Sequence, residues 1–268
     1  MSAHITAHRH GFPPGRTTVT RVDEGHGIGF AVLRLEAGST TTFALERETA
    51  WLLMNGDLRV RVGDLAVHLE RRSLFDESAS AVHAAAGTSV TLEAIADTEL
   101  TVYETSNPRP FAPRVFGPAD VPDEYRGKGQ VRDRSLRFVR TIFDRRNAPA
   151  EAELVLGEVV TLPGGWSSYP PHHHPQPEIY HYRFTEPQGY GHAELGETVL
   201  KVRHHDTICI GAGLDHAQCA APGYGMYYAW VIRHLPDNPY VAPEFAPEHA
   251  WTMAPGSCGW WPRKVDDG

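Results

Sequence analysis

Short alternating runs of apolar and polar residues, each closed by turn residues, constrain this 268-residue chain more than any other feature of its sequence. The clearest run covers residues 58–62, LRVRV, where period two places the apolar side chains on one face and the arginines on the other. Asn55-Gly56 precedes this run and follows another, and Asn-Gly between two such runs is a strong hairpin signal. Because helical periodicity is scarce, the pattern predicts an all-β chain of the sandwich or barrel type.

Runs of strand length with turn chemistry at their ends occur in both halves of the chain. They cover residues 30–35, 51–54, 90–94, 99–104, 154–162, 179–184, 198–203, 207–210 and 226–232. Between the halves, residues 107–129 are rich in proline and glycine and show little apolar periodicity. We therefore predict two β domains, over residues 1–110 and 151–268, joined by a connector over residues 111–150.

Charge and hydropathy exclude several classes of partner. The formal net charge of -8 argues against nucleic acid and against an anionic membrane surface, since both require a basic surface. No apolar run approaches the ~20 residues of a membrane span, and residues 1–15 lack the apolar segment of a signal peptide. We therefore expect a cytoplasmic protein. Cys209, Cys219 and Cys258 have no CxxC spacing and are expected to be free thiols.

Many of the 16 histidines fall between residues 172 and 216, and histidine is the commonest metal ligand in proteins. Side chains two residues apart on an extended strand point the same way, so His172 and His174 can face one interior point. Glu178 opens the next strand-like run, and His216 follows a strand and a glycine turn. These residues are the predicted metal ligands.

Three imidazoles and one carboxylate suit a single divalent ion and leave one or two positions for water or substrate. Zn²⁺ is the first choice, with Mn²⁺, Fe²⁺ and Ni²⁺ as alternatives. A histidine triplet is also found in polar loops, so the opposing interpretation is a barrel mouth whose histidines only form hydrogen bonds. The glutamate and the late glycine–histidine segment favour the metal.

The pattern HxH-x3-E followed by G-x-G-x-x-H, at residues 172–178 and 211–216, is the two-part motif of the cupin superfamily. Within that superfamily the sequence resembles the 5-deoxy-glucuronate isomerase family of myo-inositol catabolism, whose members join two cupin domains. The matching segments are GGWSSYPPHHH (164–174), EIYHYRF (178–184), PQGYG (187–191), DHAQCAAPGYGMYYAWV (215–231) and RGKG (126–129). The resemblance implies two tandem cupin barrels, each a double-stranded β-helix. His26, His68 and His83 are scattered, so the N-terminal cupin is expected to carry no metal, and the C-terminal cupin is expected to bind it.

The resemblance also implies a metal-dependent aldose–ketose isomerase acting on a deoxy-uronic acid. In that reaction a proton leaves the carbon beside the carbonyl, and a Lewis acid stabilises the negative charge that builds on oxygen. The related 4-deoxy-uronate isomerases share the ligand set. A cupin dioxygenase with Fe²⁺ and a non-catalytic sugar-binding cupin are the alternatives, because one fold hosts many chemistries.

Candidate catalytic and substrate-binding residues follow from strand parity and from the resemblance. Counting in twos from Glu178 places Tyr180 and Tyr182 inward as catalytic candidates, with barrel packing as the alternative for each. Arg183 faces outward on the same count, either as a solvated arginine or as a carboxylate-binding group at the barrel mouth.

Through the family match, Lys128 is a further substrate-binding candidate, and Tyr169 is another because it precedes the ligands. Glu178 has an alternative role as the general base, with water completing the metal shell. The expected partner is a small sugar acid, and the sequence leaves the oligomeric state open, a homo-oligomer included.

Overall fold

The computed structural model describes residues 3–24 and 26–262, and its regular structure is almost entirely β. The helical elements of these residues are two 3-10 helices, Val131–Asp133 and Pro247–Met253. No helix in the described ranges is long and apolar enough to cross a membrane. The prediction of an all-β chain is confirmed.

The strands are short and closely spaced along the chain. The first ten are β1 (His4–Ile5), β2 (Gly15–Thr20), β3 (Gly29–Leu35), β4 (Thr40–Ala44), β5 (Glu48–Val62), β6 (Leu65–Arg71), β7 (Ala81–Ala84), β8 (Ser89–Ala94), β9 (Thr98–Thr105) and β10 (Arg114–Phe116). They are followed by β11 (Glu124–Arg126), β12 (Arg137–Phe143), β13 (Leu154–Thr161), β14 (Trp166–His173), β15 (Glu178–Phe184), β16 (Tyr190–Leu195), β17 (Thr198–Arg203), β18 (Thr207–Ile210), β19 (His216–Ala220), β20 (Met226–Arg233) and β21 (Glu244–Phe245).

Antiparallel pairing gathers these strands into three sheets. Strands β2 to β10 form a nine-stranded sheet in which β5 pairs with β6, β7, β8 and β9. A seven-stranded sheet has the order β1-β18-β15-β20-β13-β12-β11, and a five-stranded sheet has the order β17-β16-β19-β14-β21. The last two face each other across an apolar core that includes Val159 and Tyr182 from one sheet and Ala193 and Val202 from the other.

The predicted connector over residues 111–150 contains three paired strands. β10 pairs with β7 of the nine-stranded sheet, whereas β12 pairs with β13 and with β11. The alternation of β12 is hard to recognise in RFVRTIF because one of its buried positions is occupied by a charged residue, Arg140. The boundaries of the two domains stay a prediction.

The predicted hairpin at Asn55-Gly56 is wrong, since β5 runs unbroken from Glu48 to Val62. Its register against β9 shifts between Leu53 and Asn55, and Gly56 adopts a positive φ of 124°. A Cβ at Gly56 would lie 2.6 Å from the Cα of Thr98, so only glycine fits this approach of two backbones. The strand therefore bends at the Asn-Gly step and continues, and the chain does not reverse there.

The seven-stranded sheet is buried on both faces along its central strands. Val159, Tyr180 and Tyr228 point into the core between the seven- and five-stranded sheets. Their neighbours in sequence, at positions 160, 179 and 227, point the other way and pack with Leu52 and Met54 of the first half. Period-two alternation thus assigns one face of the sheet to the barrel interior and the opposite face to the contact between the halves.

A buried carboxylate joins the two halves across that contact. Glu158 of β13 is fully buried and accepts hydrogen bonds from Arg71 at 2.6 and 3.0 Å, from Arg140 at 2.9 Å and from the Tyr227 hydroxyl at 2.8 Å. Burial alone would raise the pKa of Glu158, but the two guanidinium groups outweigh burial and lower it. Since Arg71 comes from β6, this one carboxylate holds a first-half strand against the seven-stranded sheet.

Replacing Glu158 by glutamine should strongly destabilise the protein, because two buried guanidinium groups would lose their counter-charge. We expect the free energy of unfolding, measured by urea denaturation, to fall by about 3–5 kcal/mol for Glu158→Gln. The matched control is Glu93→Gln, which breaks an exposed ion pair with Arg59 and should change the free energy of unfolding by less than ~1 kcal/mol. Equal effects of the two substitutions would contradict this account.

Candidate metal centre

Three buried side chains from separate segments converge inside the barrel of the second half. His174 follows β14, Glu178 opens β15 and His216 opens β19. Their potential ligand atoms all lie within 4.8 Å of one another. Oε2 of Glu178 is 3.2 Å from Nε2 of His174 and 3.4 Å from Nε2 of His216. The arrangement therefore brings two imidazoles and a carboxylate to one point.

Backbone carbonyls fix which nitrogen of each imidazole faces that point. Nδ1 of His174 lies 2.9 Å from the carbonyl oxygen of Gln176, and Nδ1 of His216 lies 2.9 Å from that of Leu214. A carbonyl oxygen can only accept a hydrogen bond, so both Nδ1 atoms carry the hydrogen, and each Nε2 of the neutral ring is left with its lone pair. Nε2 of His216 is buried and makes no hydrogen bond. An orphaned buried nitrogen of this kind fits a metal ligand.

The charge of Glu178 suits the same role. Burial would raise the pKa of this carboxyl, but the adjacent imidazoles of His174 and His216 outweigh burial and lower it to about 2. The group is therefore an ionised carboxylate at neutral pH. A carboxylate with so low a pKa is a weak base, which favours the ligand role over the general-base role.

His172 lines the same cavity but stands outside the group of three. Its ring centroid is 4.4 Å from that of His216, and its Nδ1 lies 3.1 Å from the carbonyl oxygen of Ser168. Burial, helped by His216, lowers the pKa of His172 to about 3, so the ring is neutral. His173 points away, with its Nδ1 2.8 Å from Asp215. His172 as a fourth ligand stays a prediction.

A cavity of about 560 Å³ opens beside these residues. Its walls come from β12, β13, β15 and β20 and from the segment around β21. The Tyr180 hydroxyl on its wall lies 3.2 Å from the hydroxyl of Ser168, which lies 3.0 Å from the hydroxyl of Tyr228. Both tyrosines have a pKa raised by burial, to about 12 for Tyr228, so their hydroxyls are protonated. The cavity therefore offers a chain of neutral hydroxyl groups near the histidines.

The two tyrosines predicted as catalytic are placed differently. Tyr180 lines the cavity, and its ring centroid is 5.9 Å from that of His216. Tyr182 also points into the barrel, but it is not part of the cavity wall, and its hydroxyl donates to the side-chain oxygen of Gln218 at 2.7 Å. The two side chains therefore differ in their access to the cavity, and a catalytic role for either stays a prediction.

Arg183 is neither solvated nor at the barrel mouth, so both expectations for it are corrected. Its outward direction agrees with strand parity, but that face is covered by the first half. The side chain is only 4% exposed and donates to Glu99 of β9 at 2.6 Å. Packing of the first half against this face thus buries Arg183 in an ion pair that lies away from the cavity.

Two other predicted substrate-binding side chains do not belong to the cavity wall. Lys128 is exposed, and its ammonium lies 5.8 Å from the ring centroid of Tyr125. Tyr169 is half-buried and packs its ring beside Trp166. The structure therefore gives Lys128 no contact with the candidate site and connects Tyr169 to it only through neighbouring residues.

The cavity residues that the sequence analysis does not identify include Ser168, Tyr228 and Arg137. Strand parity along β20 carries the signal for Tyr228, since alternate residues of that run face the barrel. Ser168 has no local signal beyond its place in the segment before the histidines. Arg137 lies within the predicted connector. There the sequence does not show that a strand begins, so this arginine looks like a solvated one.

A family model described as the KduI/IolB family matches residues 6–252. A 5-deoxy-glucuronate isomerase of Geobacillus kaustophilus is 30% identical over 174 residues, which are 56% of this chain and 60% of that protein. One from Geobacillus thermodenitrificans is 26% identical over 246 residues, 80% of this chain and 86% of that protein. The predicted family resemblance is confirmed.

Solved structures agree on the fold. An IolB-like protein from Salmonella typhimurium has a TM-score of 0.83 and 25% identity, and the match covers 95% of this chain and 100% of that one. A cupin 2 conserved barrel domain protein from Leptotrichia buccalis has a TM-score of 0.53 at 13% identity, covering 86% of this chain and 95% of that one. The second likeness concerns the fold alone and supports the cupin assignment.

Loss of one imidazole from the converging group should release a bound metal ion. We expect His216→Ala to lose most of the divalent metal that elemental analysis finds in the purified protein, because the remaining ligands hold a labile ion weakly. His173→Ala is the control, since His173 lies on the same strand as His172 but pairs with Asp215, and it should keep its metal. Equal metal content in His216→Ala and the unaltered protein would refute the site.

Proposed function

This chain belongs to the KduI/IolB family, and we propose that it is a metal-dependent aldose–ketose isomerase whose substrate is 5-deoxy-glucuronate. The observation that carries the proposal is the buried His174–Glu178–His216 group beside a cavity large enough for a monosaccharide. Relatives named 5-deoxy-glucuronate isomerase support the reaction class and the substrate.

The residues present fit a divalent metal ion. His174, Glu178 and His216 would hold it, with His172 as the fourth ligand, and Zn²⁺ is the first choice ahead of Mn²⁺, Fe²⁺ and Ni²⁺. When bound, such an ion supplies a Lewis acid that stabilises negative charge on a carbonyl oxygen. Buried imidazoles with their Nδ1 atoms held by backbone carbonyls already point their Nε2 atoms at this position.

Aldose–ketose isomerisation also requires a proton to move between the two neighbouring oxygens of the substrate. The Tyr180 hydroxyl is suited to this step, because its raised pKa keeps it protonated and it lies on the cavity wall. Ser168 and Tyr228 continue the hydrogen-bonded chain, so a proton given up at Tyr180 Oη can be replaced from within the protein. The apolar part of the wall, with Val155, Val159 and Ile232, lowers the local dielectric constant and so strengthens these interactions.

The proposed reaction is tested by incubating metal-loaded protein with 5-deoxy-glucuronate and following the products by NMR. We expect conversion to the corresponding ketose without any uptake of oxygen in an oxygen electrode. A 4-deoxy-5-keto-uronate serves as the comparison substrate and should react more slowly. Oxygen consumption would identify a dioxygenase, and metal-loaded protein that leaves both sugar acids unchanged would exclude the isomerase.

Two conservative substitutions on one strand separate a catalytic tyrosine from a packing tyrosine. Tyr180→Phe should lower kcat by ~10²–10⁴-fold, the usual contribution of a positioned proton donor, with metal content unchanged. Tyr182→Phe removes a hydroxyl that bonds Gln218 and should lower kcat far less. Steady-state kinetics of both variants checks this, and a larger loss of kcat in Tyr182→Phe would reverse the assignment.

A further inference from the structure

We propose that Arg137 is the carboxylate-binding residue of the cavity, so that a bound uronic acid places its carboxylate at β12 and its carbonyl at the His174–Glu178–His216 group. The identification of the ligand as a sugar acid rests on the proposed function. The assignment of Arg137 as an anion-binding residue rests on contacts of its own.

Arg137 lines the cavity with unused hydrogen-bonding capacity. Its guanidinium donates to two backbone carbonyls, that of Ser135 at 2.9 Å and that of Tyr169 at 3.1 Å. Its Nε is buried without a partner. A guanidinium has five N–H donors in a planar fork that matches a carboxylate, so the two carbonyls leave it incompletely satisfied.

Arg137 also lacks an acidic counter-charge in the part of the chain that the structure describes. Within residues 3–24 and 26–262, the ion pairs do not include Arg137. By contrast, Arg140, three residues along the same strand, is paired with both Asp123 and Glu158. Because charged groups removed from water are normally paired, an arginine left unpaired at a cavity wall is suited to receive its counter-ion from a ligand.

The other arginines of the cavity wall differ in this respect. Arg126 is paired with Glu124 at 2.8 Å, and Arg146 is paired with Asp144 at 2.8 Å. Arg145 is exposed, so water and salt screen its charge. Burial lowers the pKa of Arg137 to about 10, with the neighbouring Arg126 acting in the same direction and Tyr228 opposing it. Arg137 therefore remains charged at neutral pH, but in an environment that an incoming carboxylate would improve.

The position of Arg137 also connects it to the rest of the site. The carbonyl that it contacts belongs to Tyr169, three residues before His172. Tyr228 lines the same cavity, and its hydroxyl continues through Ser168 to Tyr180. A uronic acid has its carbonyl and its carboxylate at opposite ends of the carbon chain. Arg137 and the histidine group, on two walls of one cavity, provide complementary contacts for both ends.

The experiment measures binding without requiring turnover, using D-glucuronate and its uncharged analogue D-glucuronamide as probes in calorimetric titrations. We expect metal-loaded protein to prefer the carboxylate, and Arg137→Gln to reduce that preference by about 10- to 100-fold, as for loss of a charged hydrogen bond. Arg137→Lys keeps the charge without the planar fork and should retain part of the preference. Arg145→Gln, the matched control on the same wall, should change it by less than about 3-fold.

Metal content and melting temperature of each variant show whether it is folded. If Arg137→Gln does not fold, Arg137→Lys provides the test. A preference that survives both Arg137 substitutions, or that is absent from the unaltered protein, overturns the assignment. Preference for glucuronate without isomerisation of 5-deoxy-glucuronate would leave the carboxylate site standing and remove the isomerase. Isomerisation with an unchanged KM in Arg137→Gln would support the isomerase and exclude Arg137 as its carboxylate-binding residue.

Discussion

The structure depends on the packing of one sheet that is buried on both of its faces. The central strands of the seven-stranded sheet, β13, β15 and β20, present alternate residues to the barrel interior and to the first half of the chain. A shift of one residue in any of these strands would exchange the two sets and bury the site residues against the wrong partner. The first half therefore stabilises the site without contributing to its wall, because it fixes the register of the strands that carry Glu178, Tyr180 and Tyr228.

Burial on both faces creates the need to satisfy charge inside the protein. Glu158 neutralises Arg71 and Arg140 between the halves, and Glu99 neutralises Arg183. In the first half Glu48 accepts from Asn107 and from the backbone N–H groups of residues 153 and 154. The buried arginines that hold the two halves together are therefore each paired with a carboxylate. The unpaired state of Arg137 therefore distinguishes it from these structural arginines and associates it with the contents of the cavity.

The candidate metal centre is the opposite case, in which a buried carboxylate, Glu178, lies where a cation can bind. Backbone carbonyls accept hydrogen bonds from Nδ1 of His174 and of His216. The Nε2 atoms of both rings therefore face Glu178 and the position of an ion. The ionised carboxylate then gives the group a net negative character that attracts a divalent cation. The cavity wall thus carries one group that suits a cation and, at Arg137, a side chain that suits an anion. This asymmetry would orient a substrate whose reactive carbonyl and carboxylate are at opposite ends.

The sequence by itself determined the all-β class, most strands of the second half, and the convergence of His174, Glu178 and His216, because alternation and motif spacing are local properties of the chain. It also indicated the family, through segments that flank those residues. The tertiary structure alone decided that Arg183 is covered, that Arg137 reaches the cavity and that β5 continues through Asn55-Gly56. In each case the side of a strand is encoded locally, but what covers that side comes from residues about 30 to more than 80 positions away. A sequence pattern reports which way a side chain points, and only packing determines what it meets there.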